Sequence, residues 1–90
     1  MQHNELKEEI FNKVTGDLFK ELRLKKSSGS MSNFAREYDF DRGNFSKIER
    51  GLVNCRLITA WKFAEAAGLK FSEFAKMLEE KLGNDFTFFD

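Results

Sequence analysis

Residues 30–51, SMSNFAREYDFDRGNFSKIERG, constrain the fold of this chain more than any other segment. They divide into a short segment with apolar positions, a polar turn, and a second short segment that ends at a glycine. In the second segment, Phe45 and Ile48 are three residues apart and share one side of a helix, whereas Arg42 and Lys47 lie on the other side. The pattern therefore predicts two short helices. The second is expected to pack its apolar side on the core and to expose its cationic side to solvent.

Capping residues set the expected limits of this helix pair. Ser30 or Ser32 can accept a backbone N–H bond at the start of the first helix, predicted over about 31–38. Asp41 can do the same for the second helix, predicted over about 42–50. Four side chains of the first helix and the turn are expected to point inward: Phe34, Ala35, Tyr38 and Phe40.

The N-terminal part of the chain has an apolar residue at every fourth position, which predicts a helical face over about 4–26. This stripe consists of Leu6, Ile10, Val14, Leu18 and Leu22, with Phe11 and Phe19 beside it. Gly16 can break the helix into two. Its first four residues, Leu6 to Leu18, can pair with a second copy of the chain or lie on the chain's own core, and the pattern leaves both open.

Two further helices are predicted after residue 51. The fourth helix covers about 55–67 with Asn54 as its cap, and the fifth covers about 73–82 with Ser72 as its cap. The buried side of the fourth helix is predicted to be Leu57, Ile58, Trp61, Ala64 and Ala67, and that of the fifth Phe74, Met77, Leu78 and Leu82. Five helices closing one core make this an all-α chain.

The C-terminal segment 84–90 has three phenylalanines among polar residues. Exposed together they would form an adhesive apolar patch, so they are expected either to fold back onto the chain's own helices or to contact a second copy.

Composition excludes several classes of function. A 90-residue chain with 41% apolar residues supports one small core. No run approaches the roughly 20 apolar residues of a spanning helix, and no signal core begins the chain, which predicts a soluble, cytoplasmic protein with no membrane partner. With one cysteine, Cys55, and one histidine, His3, neither a metal site nor a cofactor is expected, and no catalytic group is visible. Cys55 is expected to be a buried or inert thiol rather than a redox sensor with a lowered pKa.

Charge is unevenly distributed although the formal net charge is zero. Residues 20–71 carry eleven bases and six acids, whereas the two ends together carry four bases and nine acids. A cationic middle favours binding to phosphate, although a basic helix surface can also be merely solvated.

Segment 30–51 resembles the Cro/repressor family of helix-turn-helix regulators, whose typical run aligns here without a gap. The matching residues are Ser30, Ala35, Ser46, Ile48, Glu49 and Gly51, with Phe34, Phe40 and Phe45 at aliphatic positions. The resemblance implies a five-helix, lambda-repressor-like domain over 16–83, preceded by a helical extension, 1–15, and followed by the aromatic tail, 84–90.

The resemblance also implies roles for individual residues. Base-reading positions fall on Arg42, Gly43, Asn44, Ser46 and Lys47. Phosphate-contacting positions fall on Ser30, Met31, Ser32, Asn33, Arg50, Val53, Asn54 and Arg56. Arg23 matches a family arginine that pairs with the glutamate after the recognition helix, here Glu49.

Four departures from the family pattern predict modest affinity and modest sequence discrimination. Met31 replaces a glutamine that contacts phosphate and bridges to the recognition helix, and Gly43 offers no side chain at a reading position. Asp39 replaces the turn glycine, and Cys55 stands where proline is usual.

The function implied is sequence-specific binding of double-stranded DNA by a transcriptional regulator, with repression as the expected outcome, through a homodimer that inserts helix 42–50 into the major groove. Two alternatives stay open. The chain can be the antitoxin of a toxin–antitoxin pair that binds its toxin through 1–15 or 84–90, or a protein-interaction module that has lost DNA binding.

Overall fold

The computed structural model describes residues 3–27 and 29–89. Within them the chain is all-helical, as the sequence predicted, with α1 at His3–Lys26, α2 at Met31–Glu37, α3 at Arg42–Glu49, α4 at Leu57–Ala66 and α5 at Phe71–Leu82. None of the described helices is long and apolar enough to cross a membrane. Met1, Gln2, Ser28 and Asp90, which belong to the predicted extension, loop and tail, lie outside the described residues.

The break predicted at Gly16 is wrong, because α1 runs through this position as one continuous helix. Gly16 has a different role. A Cβ atom at this position would lie 2.4 Å from the carbonyl oxygen of Ile48 and 2.6 Å from that of Glu49, so the missing side chain lets the end of α3 rest on α1. The glycine is a packing contact and not a helix end.

Phenylalanine side chains form the centre of the core. Phe19 of α1 stacks on Phe63 of α4 with ring centroids 4.0 Å apart, and it also contacts Phe45 and Phe74. Phe34 of α2 packs on Phe45 and Phe63 from the other side. All five rings are at most 2% exposed, so a single aromatic cluster joins all five helices.

The predicted buried face of α4 is largely wrong. Leu57, Ile58 and Trp61 are 67%, 55% and 50% exposed. The predicted Ala64 is buried and Ala67 packs against the core, but the other buried residues of α4 are Ala60, Phe63 and Ala66. Small alanines let α4 approach the aromatic cluster closely, so the larger apolar residues are left on the outer side.

The predicted starts of α4 and α5 are also wrong. α4 begins at Leu57 after Arg56, whose side chain forms no capping bond, so Asn54 is not the cap. α5 begins at Phe71, and the Glu73 carboxylate accepts a bond from the Lys70 backbone N–H at 2.8 Å, so Ser72 is not the cap. Phe71 stacks on Trp61 with centroids 4.8 Å apart, which extends the apolar surface of α4 onto α5.

The aromatic tail folds back onto the chain, which was one of the two predicted outcomes. Phe86 and Phe88 pack on Phe11 of α1 with ring centroids 6.2 and 5.6 Å apart, while Phe89 is 79% exposed. The predicted stripe of α1 is divided. Leu18 and Leu22 are buried, whereas two residues nearer the N-terminus are exposed, Leu6 and Ile10.

Candidate nucleic-acid interface

Side-chain caps fix the first turns of both helices of the helix-turn-helix unit. The Ser30 hydroxyl accepts a bond from the Asn33 N–H at 3.1 Å, and the Asp41 carboxylate accepts one from the Asn44 N–H at 2.9 Å. Between the helices, Asp39 stands where the family has its turn glycine, and it adopts the left-handed conformation with φ of 60°. Asp39 therefore forms the turn between α2 and α3 without a glycine.

α3 has two faces of opposite character. Its inner face, Phe45, Ile48 and Glu49, is at most 7% exposed. Its outer face, defined by Arg42, Gly43, Asn44 and Lys47, is exposed, and Ser46 between the two is half-buried. Every predicted base-reading position except Ser46 therefore lies on one accessible surface.

A buried ion pair fixes the end of α3 against α1. Arg23 donates from Nε to one Glu49 carboxylate oxygen at 2.6 Å and from Nη2 to the other at 3.0 Å. The two side chains are 8% and 4% exposed. Such a fork sets the orientation of both groups, so together with the close approach at Gly16 it determines the angle of α3 on the core.

The predicted phosphate-contacting residues surround the outer face but differ in accessibility. Five of them are exposed: Ser30, Asn33, Arg50, Asn54 and Arg56. Met31 and Val53 are half-buried and pack against the core. Ser32 is half-buried, and its hydroxyl accepts a hydrogen bond from Nε of Arg42.

A second unexpected contact joins α1 to the loop after α3. Asn12 donates from Nδ2 to Oδ1 of Asn54 at 2.8 Å. At Gly51, where φ is +73°, a Cβ atom would lie 2.9 Å from Cα of Lys13, so the two backbones meet closely. Asn12 and Asn54 are 42 residues apart in the sequence, and no local pattern connects them. The first part of α1 therefore supports the loop between α3 and α4, which carries four predicted phosphate-contacting residues.

Cys55 lies in the same loop region and is half-buried. Desolvation by burial raises the pKa of its thiol from 9.0 to about 11, so the thiol stays protonated near neutral pH. The redox alternative, which required a lowered pKa, has no support in this environment, and the inert thiol is the better description.

Comparison with known proteins shows the family to which the chain belongs. No protein-family model matches the chain. The chain is 33% identical over 66 residues to control protein C.MunI of Mycoplasma sp., an alignment that covers 73% of this chain and 89% of that protein. A helix-turn-helix unit of this geometry and a relative of this similarity define the class: the chain belongs to the Cro/repressor-type family of helix-turn-helix DNA-binding regulators. The name of that relative, a control protein, agrees with a regulatory role.

Proposed function

We propose that the protein is a sequence-specific repressor that binds double-stranded DNA as a homodimer and inserts α3 into the major groove. The observation that carries this proposal is the two-faced character of α3. Its inner face is held by the aromatic core and by the Arg23–Glu49 pair, while Arg42 and Lys47 are exposed on its outer face. A helix whose inner face is fixed to the core can enter the major groove and present its outer side chains to the edges of base pairs.

Arg42 and Lys47 supply most of the base reading in this proposal. A guanidinium can donate two hydrogen bonds to O6 and N7 of guanine, and an ammonium can reach the same acceptors with less directionality. Asn44 and Ser46 contribute polar groups nearby, and Gly43 leaves a gap in the outer face. We therefore expect a guanine in each half-site and limited discrimination elsewhere.

The exposed residues around α3 supply the phosphate contacts. Arg50 and Arg56 bring positive charge to either side of the loop after α3, and Asn54 lies between them with an exposed amide. Contacts of this kind set the position of the protein on the duplex and strengthen binding to all sequences about equally.

The homodimer forms, in this proposal, through the exposed face of α4. Leu57, Ile58 and Trp61 lie within five residues and are each at least half exposed, and Trp61 continues onto Phe71 of α5. A second copy that covers this surface would bury both sets of side chains. A two-fold dimer then presents two α3 helices to successive major grooves about 34 Å apart.

Repression is assigned because a small protein that covers its site excludes other proteins from that DNA. Membership of a family of DNA-binding regulators and the similarity to a control protein support regulation through DNA binding, and repression is the direction that we propose.

The direct test is selection of bound sequences from a random DNA pool with the unmodified protein, Arg42→Ala and Lys47→Ala. We expect a two-fold symmetric motif with a guanine in each half, and a changed preference at that base for Arg42→Ala. If the unmodified protein selects no motif and both variants retain DNA equally at every salt concentration, the proposal is wrong.

The dimer is tested separately by sedimentation of the unmodified protein and of Trp61→Glu. Because Trp61 is half exposed, the glutamate should leave the fold intact while placing a charge in the proposed interface. We expect a dimer for the unmodified protein and a folded monomer for the variant. A monomer at high concentration of the unmodified protein would contradict the two-fold model.

Neutralisation of a toxin is the second candidate, and one observation favours it. Leu6 and Ile10 of α1 are 56% and 45% exposed although they continue the apolar stripe of the helix. The tail, by contrast, uses Phe86 and Phe88 within the chain. A second protein that co-purifies with the unmodified chain and is lost with Leu6→Lys/Ile10→Lys would support this candidate.

A further inference from the structure

The hydrogen bond between Ser32 and Arg42 joins the two helices of the helix-turn-helix unit at the outer face. Ser32 is the second residue of α2 and Arg42 is the first residue of α3. The Ser32 hydroxyl accepts from Nε of Arg42. Both helix starts are fixed by their own caps, Ser30 and Asp41, so the two partners project from ordered turns.

We propose that Ser32 is a specificity-determining residue that acts by holding the Arg42 guanidinium in one orientation for guanine. This inference rests on the proposed function, since it assigns a partner to the arginine that we expect to read a base. It also replaces the phosphate-contacting role that the family resemblance implies for Ser32.

The chemistry of the guanidinium supports this role. Arginine has five N–H donors, one on Nε and four on the two Nη atoms. When Ser32 occupies Nε, the two Nη atoms remain for a fork onto O6 and N7 of guanine, and the sideways fork that uses Nε is excluded. One mode of binding is then selected before DNA arrives, which lowers the entropy cost of ordering a long side chain.

The nature of the acceptor matters as well. A hydroxyl holds the guanidinium without cancelling its charge, whereas a carboxylate at the same place would form an ion pair and compete with the DNA. Met31, at the position of the family's bridging glutamine, packs its side chain against the core. The link between α2 and the recognition helix is thus made one residue later in this chain.

The other two arginines of the helix-turn-helix unit lack this arrangement. Arg50 donates from Nε to the Ser46 carbonyl oxygen in the last turn of α3 at 3.4 Å. Arg36 donates to the Asn33 side chain within α2 at 2.8 Å. Arg42 is held from a different helix. The structure therefore singles out Arg42 as the oriented arginine of the outer face.

A double-mutant cycle tests the proposal. Dissociation constants are measured for the unmodified protein, Ser32→Ala, Arg42→Ala and the double variant, each on the selected site and on the same site with the guanine pair replaced by an adenine pair. The loss of one solvent-exposed hydrogen bond predicts that Ser32→Ala lowers the preference for guanine by about two- to tenfold. In the Arg42→Ala background the same substitution should change nothing.

Two further variants keep the result specific. Ser32→Thr retains the hydroxyl and should retain the preference. Ser72→Ala makes the same chemical change on α5, at an exposed residue, and should leave both dissociation constants unaltered. Melting temperatures by circular dichroism show that each variant is folded.

Three results would overturn the inference. If Ser32→Ala weakens both DNA sites equally and adds to Arg42→Ala, Ser32 is a phosphate contact. If Ser32→Ala leaves the preference for guanine intact, the hydrogen bond has no role in recognition. If the unmodified protein shows no preference between the two sites, the proposed function fails first and this inference fails with it.

Discussion

The inner and outer faces of α3 belong to the same eight residues but obey different physical rules. On the inner face, Phe45 and Ile48 are 1% and 2% exposed, and the Phe45 ring packs on aromatic rings of α1, α2 and α4. On the outer face, Arg42 and Lys47 contact solvent, and Arg42 has one hydrogen bond to α2. Substitutions on the inner face should therefore change the free energy of unfolding, and those on the outer face should change DNA binding alone.

The largest effect is expected from Phe63→Ala, which removes the α4 ring that packs on Phe45 of the inner face of α3. Phe63 is fully buried and stacks on Phe19 at 4.0 Å, so its truncation should cost about 3–5 kcal/mol of unfolding free energy, measured with denaturant. Phe89→Ala is the matched control. Because Phe89 is 79% exposed, the same change there should stay within about 0.5 kcal/mol. Equal losses for the two variants would contradict the assignment of the core.

A slightly smaller effect is expected when the buried ion pair is broken. Glu49→Ala leaves the Arg23 guanidinium buried without its carboxylate, and the cost should be about 3 kcal/mol. The double variant Arg23→Met/Glu49→Leu removes both charges and should recover most of that loss. A single variant as stable as the unmodified protein would show that the pair does not fix α3.

Gly51 and Gly68 both have a positive φ, so comparing them separates the cost of a close packing contact from the cost of backbone strain. Gly51→Ala and Gly68→Ala both place a side chain at a positive φ, which costs about 1 kcal/mol. At Gly51 the new Cβ also meets Cα of Lys13 at 2.9 Å, whereas at Gly68 no atom lies within 4 Å. Chemical denaturation should therefore show Gly51→Ala as clearly the less stable variant. Equal destabilisation would argue against the contact between α1 and the loop after α3.

A pH dependence is expected from Cys55. Folding raises the pKa of its thiol from 9.0 to about 11, so between these values the native state keeps a proton that the unfolded state releases. The stability of the unmodified protein should therefore fall relative to Cys55→Ala as the pH rises from about 9 to about 11, and should match its trend below pH 9. A parallel pH profile for the two proteins would show that the thiol is not buried.

The smallest effect on stability is expected from Arg42→Ala, which sharpens the outer side of the comparison. An exposed residue of this kind should change the unfolding free energy by less than about 0.5 kcal/mol. The same variant should lose its preference for guanine in the selected site. A large loss of stability would place Arg42 in the structural half of the unit.

The sequence predicts the helix-turn-helix unit well because its signals are local. Ser30 and Asp41 lie directly before the helices that they cap, and Phe34 and Phe45 are in phase with buried neighbours. The ends of α2 and α3 differ from prediction by one residue. Periodicity and capping act over three or four residues, which is the range that a pattern can detect.

The sequence predicts α4 poorly because this helix has apolar residues on both sides. By spacing alone, Leu57 and Trp61 are as good a buried face as Ala60 and Phe63. The space available beside Phe19 decides which of the two faces is buried. Asn54 is a good capping residue by type, but its amide bonds to Asn12 across 42 positions. A contact that depends on tertiary packing leaves no trace in a local pattern.

The most direct measurement is methylation interference at guanine N7 on the selected DNA site, with the unmodified protein and with Arg42→Ala. If Arg42 reads guanine through O6 and N7, methylation of one guanine in each half-site should block the unmodified protein. The same methyl groups should have no effect on Arg42→Ala. Interference at no guanine, or the same interference pattern for both proteins, would contradict the claim that the outer face of α3 reads the DNA sequence.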